Sequence, residues 1–152
     1  MTGRLTAILE GVRPPGVYRW LSRAHPRALR RELAAAGWRV HLLNGLAVVD
    51  AAALLDELAR ALAFPAWFGR NWDALVDCLA DLSWLPGAGH VLLWDRYGAL
   101  ARSDPKAWRL AYQLMVDAIA LRRETGAVPL VVLLRGPGPT QQPDDAGPLP
   151  TL

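Results

Sequence analysis

The 152-residue chain holds one cysteine, Cys78, so no disulfide can form within it and the fold must rest on packing and hydrogen bonds. A reducing compartment suits such a chain. No run approaches the roughly 20 apolar residues of a membrane span, and the N-terminal MTGRLTAILEG lacks a signal-like apolar core, so the expectation is a cytoplasmic protein without a membrane anchor. His25, His41 and His90 fall on different elements without ligand spacing, which argues against a metal site or a catalytic triad. No glycine-rich phosphate loop is present, because Gly136 and Gly138 are separated by proline and precede no helical pattern. No catalytic triad, cofactor or metal is therefore expected from the motifs.

Phenylalanine is scarce, with two against seven tryptophans, and indole is the aromatic that serves both cores and interfaces. The net charge of +3 is unevenly distributed. Residues 1–39 hold eight arginines against Glu10 and Glu32, a net +6, whereas residues 40–135 come to −1 and the tail adds Asp144 and Asp145. The basic character thus belongs to an N-terminal extension, residues 1–36.

Within that extension Gly16–Trp20 has the pattern of a short strand, and Pro26–Ala36 that of a basic amphipathic helix with Leu29 and Leu33 inward. A strand from Trp38 into the Asn44-Gly45 turn follows, then a helix from an Asp50 cap to about Phe64, where Pro65 stops it. His90–Asp95 reads as a buried strand. Pro105–Glu124 reads as a long helix with Leu110, Leu114, Ile119 and Leu121 among its apolar positions, closed by Gly126. Val128–Leu134 is a last strand, with Pro129 confined to its start. Strands separated by helices imply crossovers, hence an α/β fold with a small parallel sheet of about three strands and a fourth available from the extension. Residues 37–135 form the domain. From Gly136 to Leu152, five prolines and three glycines in 17 residues read as a disordered tail.

The informative stretch is Phe64 to Leu82. Asn71 caps a helix in which Asp73, Asp77 and Asp81 make one row, while Leu75, Cys78, Leu79 and Leu82 lie opposite. No lysine or arginine lies between Trp72 and Leu82, so the three carboxylates lack local partners. Asp73, in the first turn, favours the helix dipole; Asp77 and Asp81 have no such reason to be there. An acidic helix face is ordinarily solvated surface, but here Trp67 and Phe68 stand in the loop before it, and Gly69 is suited to a positive φ or to close backbone approach. Cys78, on the apolar side, reads as packing.

The string FPAWFGRNWDALVDCL, residues 64–79, resembles the loop and second helix of the barstar family, and the surrounding elements follow in matching order over roughly residues 37–135. The resemblance implies a non-enzyme, an inhibitor that plugs a microbial guanyl-specific ribonuclease with this loop and helix, the partner being bound through residues 64–82. It implies that Asp77 is the principal carboxylate and Asp73 a second acidic contact. Trp67 and Phe68 supply the aromatic surface, and Gly69 and Asn71 the loop geometry. Arg70, where the family has an acid, and Val76, where it has a large aromatic, depart from the pattern, and Asp104 is only a loose candidate for a further acidic contact. The alternatives are an immunity protein for a toxin nuclease domain, built on the same chemistry, and a nucleic-acid-binding module using the arginines of residues 1–36. Arginines 23, 27, 30 and 31 have the spacing of a solvated helix face, so direct nucleic-acid binding is not the expectation.

Overall fold

The computed structural model describes residues 3–152; the first two residues of the N-terminal extension lie outside the described residues. In chain order the elements are α1 (Gly3–Leu9), β1 (Val17–Arg19), α2 (Pro26–Ala34), β2 (Trp38–Asn44), α3 (Ala51–Ala61), α4 (Trp72–Asp81), β3 (Gly89–Asp95), α5 (Gly98–Ser103), α6 (Pro105–Thr125) and β4 (Leu130–Arg135). All four strands are parallel in the order β1-β4-β3-β2, with Val17 opposite Val132, Val132 opposite Leu92, and Leu92 opposite His41. The fold is α/β, and the fourth strand comes from the N-terminal segment.

Parallel strands buried on both faces need cover on both, and alternation along each strand divides the core in two. Leu92, Trp94, Val132 and Leu134 face α3, α4 and α6, while Val91, Leu93, Val131 and Leu133 face α1 and α2. Leu5, Ile8, Leu29 and Leu33 supply that second cover, so the basic segment is also a layer of the fold. Gly45 ends β2 by close approach: its N–H donates to the Asp95 carbonyl at 2.8 Å, and a Cβ there would sit 2.4 Å from that oxygen.

Several boundaries depart from the sequence expectation. The third helix stops at Ala61, three residues short of Phe64, because Ala63 turns left-handed (φ 49°) and the Phe64 N–H donates back to the Ala59 carbonyl. In α6 the buried stripe runs through Trp108, Ala111, Tyr112, Met115, Ala118, Ile119 and Arg122, whereas Leu110 and Leu121 point to solvent. The stripe continues onto an arginine, which a purely apolar count passes over. Asp104 is the N-cap of α6, accepting from the Ala107 N–H at 3.1 Å, with Pro105 in the first turn. Helices α1 and α5 were not anticipated; seven and six residues give too little periodicity to read.

The tail differs most. Residues 136–152 do not hang free: the Arg19 N–H donates to the Pro150 carbonyl at 2.7 Å, the Leu152 N–H donates to the Arg19 carbonyl at 2.8 Å, and Leu149 and Leu152 are buried. Prolines cannot donate, but they accept, and their fixed φ lowers the entropy lost on ordering. The tail thereby satisfies the outer edge of β1, which three residues of strand would leave open. Leu149→Ala is expected to lower the unfolding free energy by about 2–3 kcal/mol, read from the urea midpoint at constant m-value; an unchanged midpoint would show that the tail adds nothing to the core.

Candidate functional site

Helix α4 begins at Asn71, whose Oδ1 accepts from the Ala74 N–H at 2.8 Å while its Nδ2 donates to the Gly69 carbonyl at 3.2 Å. One side chain thus caps the helix and closes the loop before it. The left-handed residue of this loop is Arg70 (φ 54°), not Gly69, and a Cβ on Gly69 would come within 3.2 Å of the Asn71 amide nitrogen. Gly69 therefore lies close to the Asn71 side chain, and neither the positive φ nor the close backbone approach expected of it is found. Arg70 is held in its strained conformation by a two-pronged ion pair with Asp56 of α3, at 2.6 and 2.8 Å. The arginine that interrupts the acidic surface carries its own counterion, and the pairing holds the Asp56 carboxyl below its ordinary range.

Asp73, Asp77 and Asp81 are exposed on one side of α4, and Leu75, Cys78 and Leu79 are fully buried on the other. Asp81 accepts from the Ser83 N–H at 3.2 Å. Asp73 and Asp77 form no salt bridge with the described residues. Burial first, then the charges of Asp77 and Asp81, push the Cys78 thiol above its ordinary pKa, the opposite of what a nucleophile needs.

The aromatic part is wider than Trp67 and Phe68. Phe68 is half-buried, edge-on to Phe64 at 4.9 Å, and Trp72 is packed partly into the core. Trp67 is 61% exposed and stands edge-on against Trp84 at 6.1 Å. Trp84 also meets Phe64 edge-on, and its Nε1 donates to the Leu62 carbonyl at 2.9 Å, so it pins the exposed indole to the end of α3. Nothing in its local sequence beyond an aromatic after the acidic helix marked Trp84 for this role.

The far end of α4 is held by a residue not singled out from sequence. Arg122, 1% exposed, donates from Nη1 to the carbonyls of Leu79, Ala80 and Asp81 at 3.2, 3.2 and 2.9 Å, and from Nε and Nη2 to Val128 O at 3.1 and 2.6 Å. A guanidinium at the negative end of a helix answers both its orphan carbonyls and its dipole. Leu82 completes the cap in a left-handed conformation (φ 50°), its N–H donating to the Cys78 carbonyl at 3.1 Å. The periodicity of α6 was the available signal: Arg122 falls four after Ala118 and seven after Met115, on the buried stripe.

Nor are the histidines all scattered. His41 on β2 and His90 on β3 join by Nε2 to Nδ1 at 3.0 Å, brought together by strand pairing that no spacing in the chain reveals. His41 also bonds the backbone of Ala61 at the end of α3, so the neutral ring of His90 must donate from Nδ1, leaving its buried Nε2 unpartnered. Burial first, then the charges of His41, Arg122 and Arg39, pulls His90 down to about 4. His25 caps α2 by accepting from the Arg27 N–H. Among the described residues no group of three potential ligands is placed to hold a metal, and no helix is long and apolar enough to cross a membrane.

Two outcomes follow from this framework. Arg122→Met is expected to cost about 3 kcal/mol and to accelerate amide exchange in the last turn of α4; unaltered exchange there would deny Arg122 its capping role. Because His90 is neutral down to about 4 when folded but charges near 6.5 when unfolded, its contribution is intact above pH 6.5 and is lost as pH falls to about 4. Urea titrations should show roughly 3 kcal/mol of acid destabilisation that is absent from His90→Leu; equal pH slopes in the two proteins would reject it.

The family model described as Barstar (barnase inhibitor) matches residues 38–134. No curated protein matches. Among solved structures, the chain is similar to the ORC2 protein of Aeropyrum pernix in its ADPNP-ADP complexes, with a TM-score of 0.61 and 14% identity over 88% of this chain and 38% of that one. It is also similar to a chain of Drosophila ORC bound to AT-rich DNA and Cdc6, with a TM-score of 0.48 and 18% identity over 88% of this chain and 43% of that one. The chain therefore spans less than half of either, and at 14% identity the similarity to the ORC2 protein concerns the layered α/β fold alone.

Proposed function

The chain belongs to the barstar family, and we propose that it inhibits a microbial guanyl-specific, barnase-like ribonuclease by laying residues 64–82 over the nuclease active site. The observation that carries this reading is the pair of exposed, unbridged carboxylates Asp73 and Asp77 beside the exposed Trp67. A nuclease that binds RNA phosphate presents cations, and a fixed carboxylate offers a guanidinium fork two acceptor oxygens much as phosphate does. Unbridged among the described residues, each acid is available to such a cation. Trp67 and Phe68 exclude water around the pairing and so strengthen it.

In this reading Asp77, in the middle of α4, is the principal contact. Asp73 divides its effect between helix dipole and partner, and Asp81 is occupied in part by the Ser83 amide. Gly69 and Asn71 set the loop. Asp104 is not counted among the contacts in this reading, its Oδ1 serving as the cap of α6. The protein acts without cofactor or metal, as a binding partner and not an enzyme. An immunity protein against a toxin nuclease domain would use the same surface and differs only in the source of its target.

Against a panel of microbial guanyl-specific ribonucleases, nanomolar or tighter inhibition is expected of at least one; no inhibition across the panel would refute the target class. Asp77→Ala should weaken that inhibition on the order of a hundred-fold, about 3 kcal/mol, chiefly through faster dissociation, whereas Asp81→Ala should change it by less than about tenfold. Equal dissociation rates for the two variants would reject the assignment.

A further inference from the structure

The basic residues of the N-terminal segment do not all lie on α2. Arg19 ends β1 and Arg23 lies in the loop after it; with Arg135 at the end of β4 they line a crevice of about 420 Å³, together with Trp20, Leu21 and Pro137. No acidic residue lines it. The crevice lies at the carboxyl ends of two adjacent parallel strands whose continuations part. The chain leaves β1 for α2, on one face of the sheet, and leaves β4 for the segment whose Pro139 and Leu149 meet Tyr97 and the α6 layer on the other. In an open parallel sheet such a divergence leaves a cleft above the strand ends, where ligands bind.

Two of the three arginines in this cleft are held by partners. Arg135 is oriented by Asp95, at 3.2 and 3.4 Å, and by the Ala24 carbonyl at 2.7 Å, and its guanidinium lies 5.6 Å from the centre of the Trp20 ring. These bonds use three of its five N–H groups. Arg19 reaches the Tyr97 hydroxyl. With Asp95 answering one charge, the crevice retains a net excess of two, which matches a phosphate monoester dianion better than a single carboxylate. Leu21, 62% exposed, and Pro137 add an apolar wall that free phosphate would not use. The volume falls within the range of small-molecule sites.

We propose that the crevice between the carboxyl ends of β1 and β4 binds a small phosphate ester of about mononucleotide size, gripped by Arg19, Arg23 and Arg135. It shares no residue with the 64–82 surface. The ligand is held through its phosphate, with the apolar wall beside its organic part.

Calorimetric titration of the full chain with 5′-AMP and 5′-GMP, their nucleosides and inorganic phosphate tests this. Saturable one-site binding of a mononucleotide is expected, with no heat from the nucleosides and weaker binding of inorganic phosphate. Arg19→Gln with Arg23→Gln should weaken mononucleotide binding by at least about tenfold with unchanged far-UV dichroism. Arg23→Gln alone, at an exposed loop position whose side chain has no bond among the described residues, should weaken it measurably. Nucleosides binding as well as nucleotides, inorganic phosphate binding as tightly as the esters, no binding by any of them, or unaltered affinity in Arg23→Gln would each overturn the proposal.

Discussion

Arg122 stands on the buried face of α6 and forms no salt bridge among the described residues; its guanidinium is spent on backbone carbonyls, three at the end of α4 and one at the approach to β4. A buried charge is costly unless its donors are answered, and here three of the acceptors are carbonyls that a helix end would otherwise leave orphaned. Burial pulls the guanidinium downward from its ordinary pKa while the nearby Asp81 pulls it up. This one side chain joins three elements, α4, α6 and β4. It fixes the C-terminal end of the acidic helix from inside the core, as Asn71 fixes the other end from the surface. The carboxylate row is thus clamped at both ends on a rigid element, the arrangement that a preorganised interface requires.

The charge distribution follows from the layering. Helix α4 exposes its acids on one side of the sheet, whereas α1 and α2 cover the other, so the acidic and basic surfaces of a chain whose net charge is only +3 are kept apart by the sheet itself. Arg70, the basic residue nearest the acidic row in sequence, is neutralised by Asp56. Arg13 is engaged by the Thr151 carbonyl and the Tyr18 ring. The overall basic character therefore says little about the face that α4 presents.

Much of the fold was legible because it rests on local chemistry. Asp50 and Asn71 each precede a helix and each accepts from the backbone three residues on, so capping located two helix starts, whereas the same role of Asp104 emerged only in the structure. The aromatic loop and acidic row were legible for the same reason, since composition and 3.6-residue spacing lie within 20 residues. The tail was misread because composition registers five prolines but not the two leucines that meet a waiting edge. Trp84, Arg122 and the His41–His90 pair escaped notice because each has its partner 22 to 49 residues away along the chain.

By itself the sequence determined the alternation of strands and helices, the family to which residues 38–134 belong, and the placing of Asp73 and Asp77 on one helix face beside Trp67 and Phe68. These depend on periodicity and caps, which act over a few residues. Only the tertiary structure decided that Arg70 is spent on Asp56, that Trp67 is propped on Trp84, and that a buried arginine from α6 holds the acidic helix. It also decided that the tail closes the edge of β1. The physical reason is one of range: a hydrogen bond or ring contact acts over a few ångströms, and only folding brings residues so far apart in the chain within that distance.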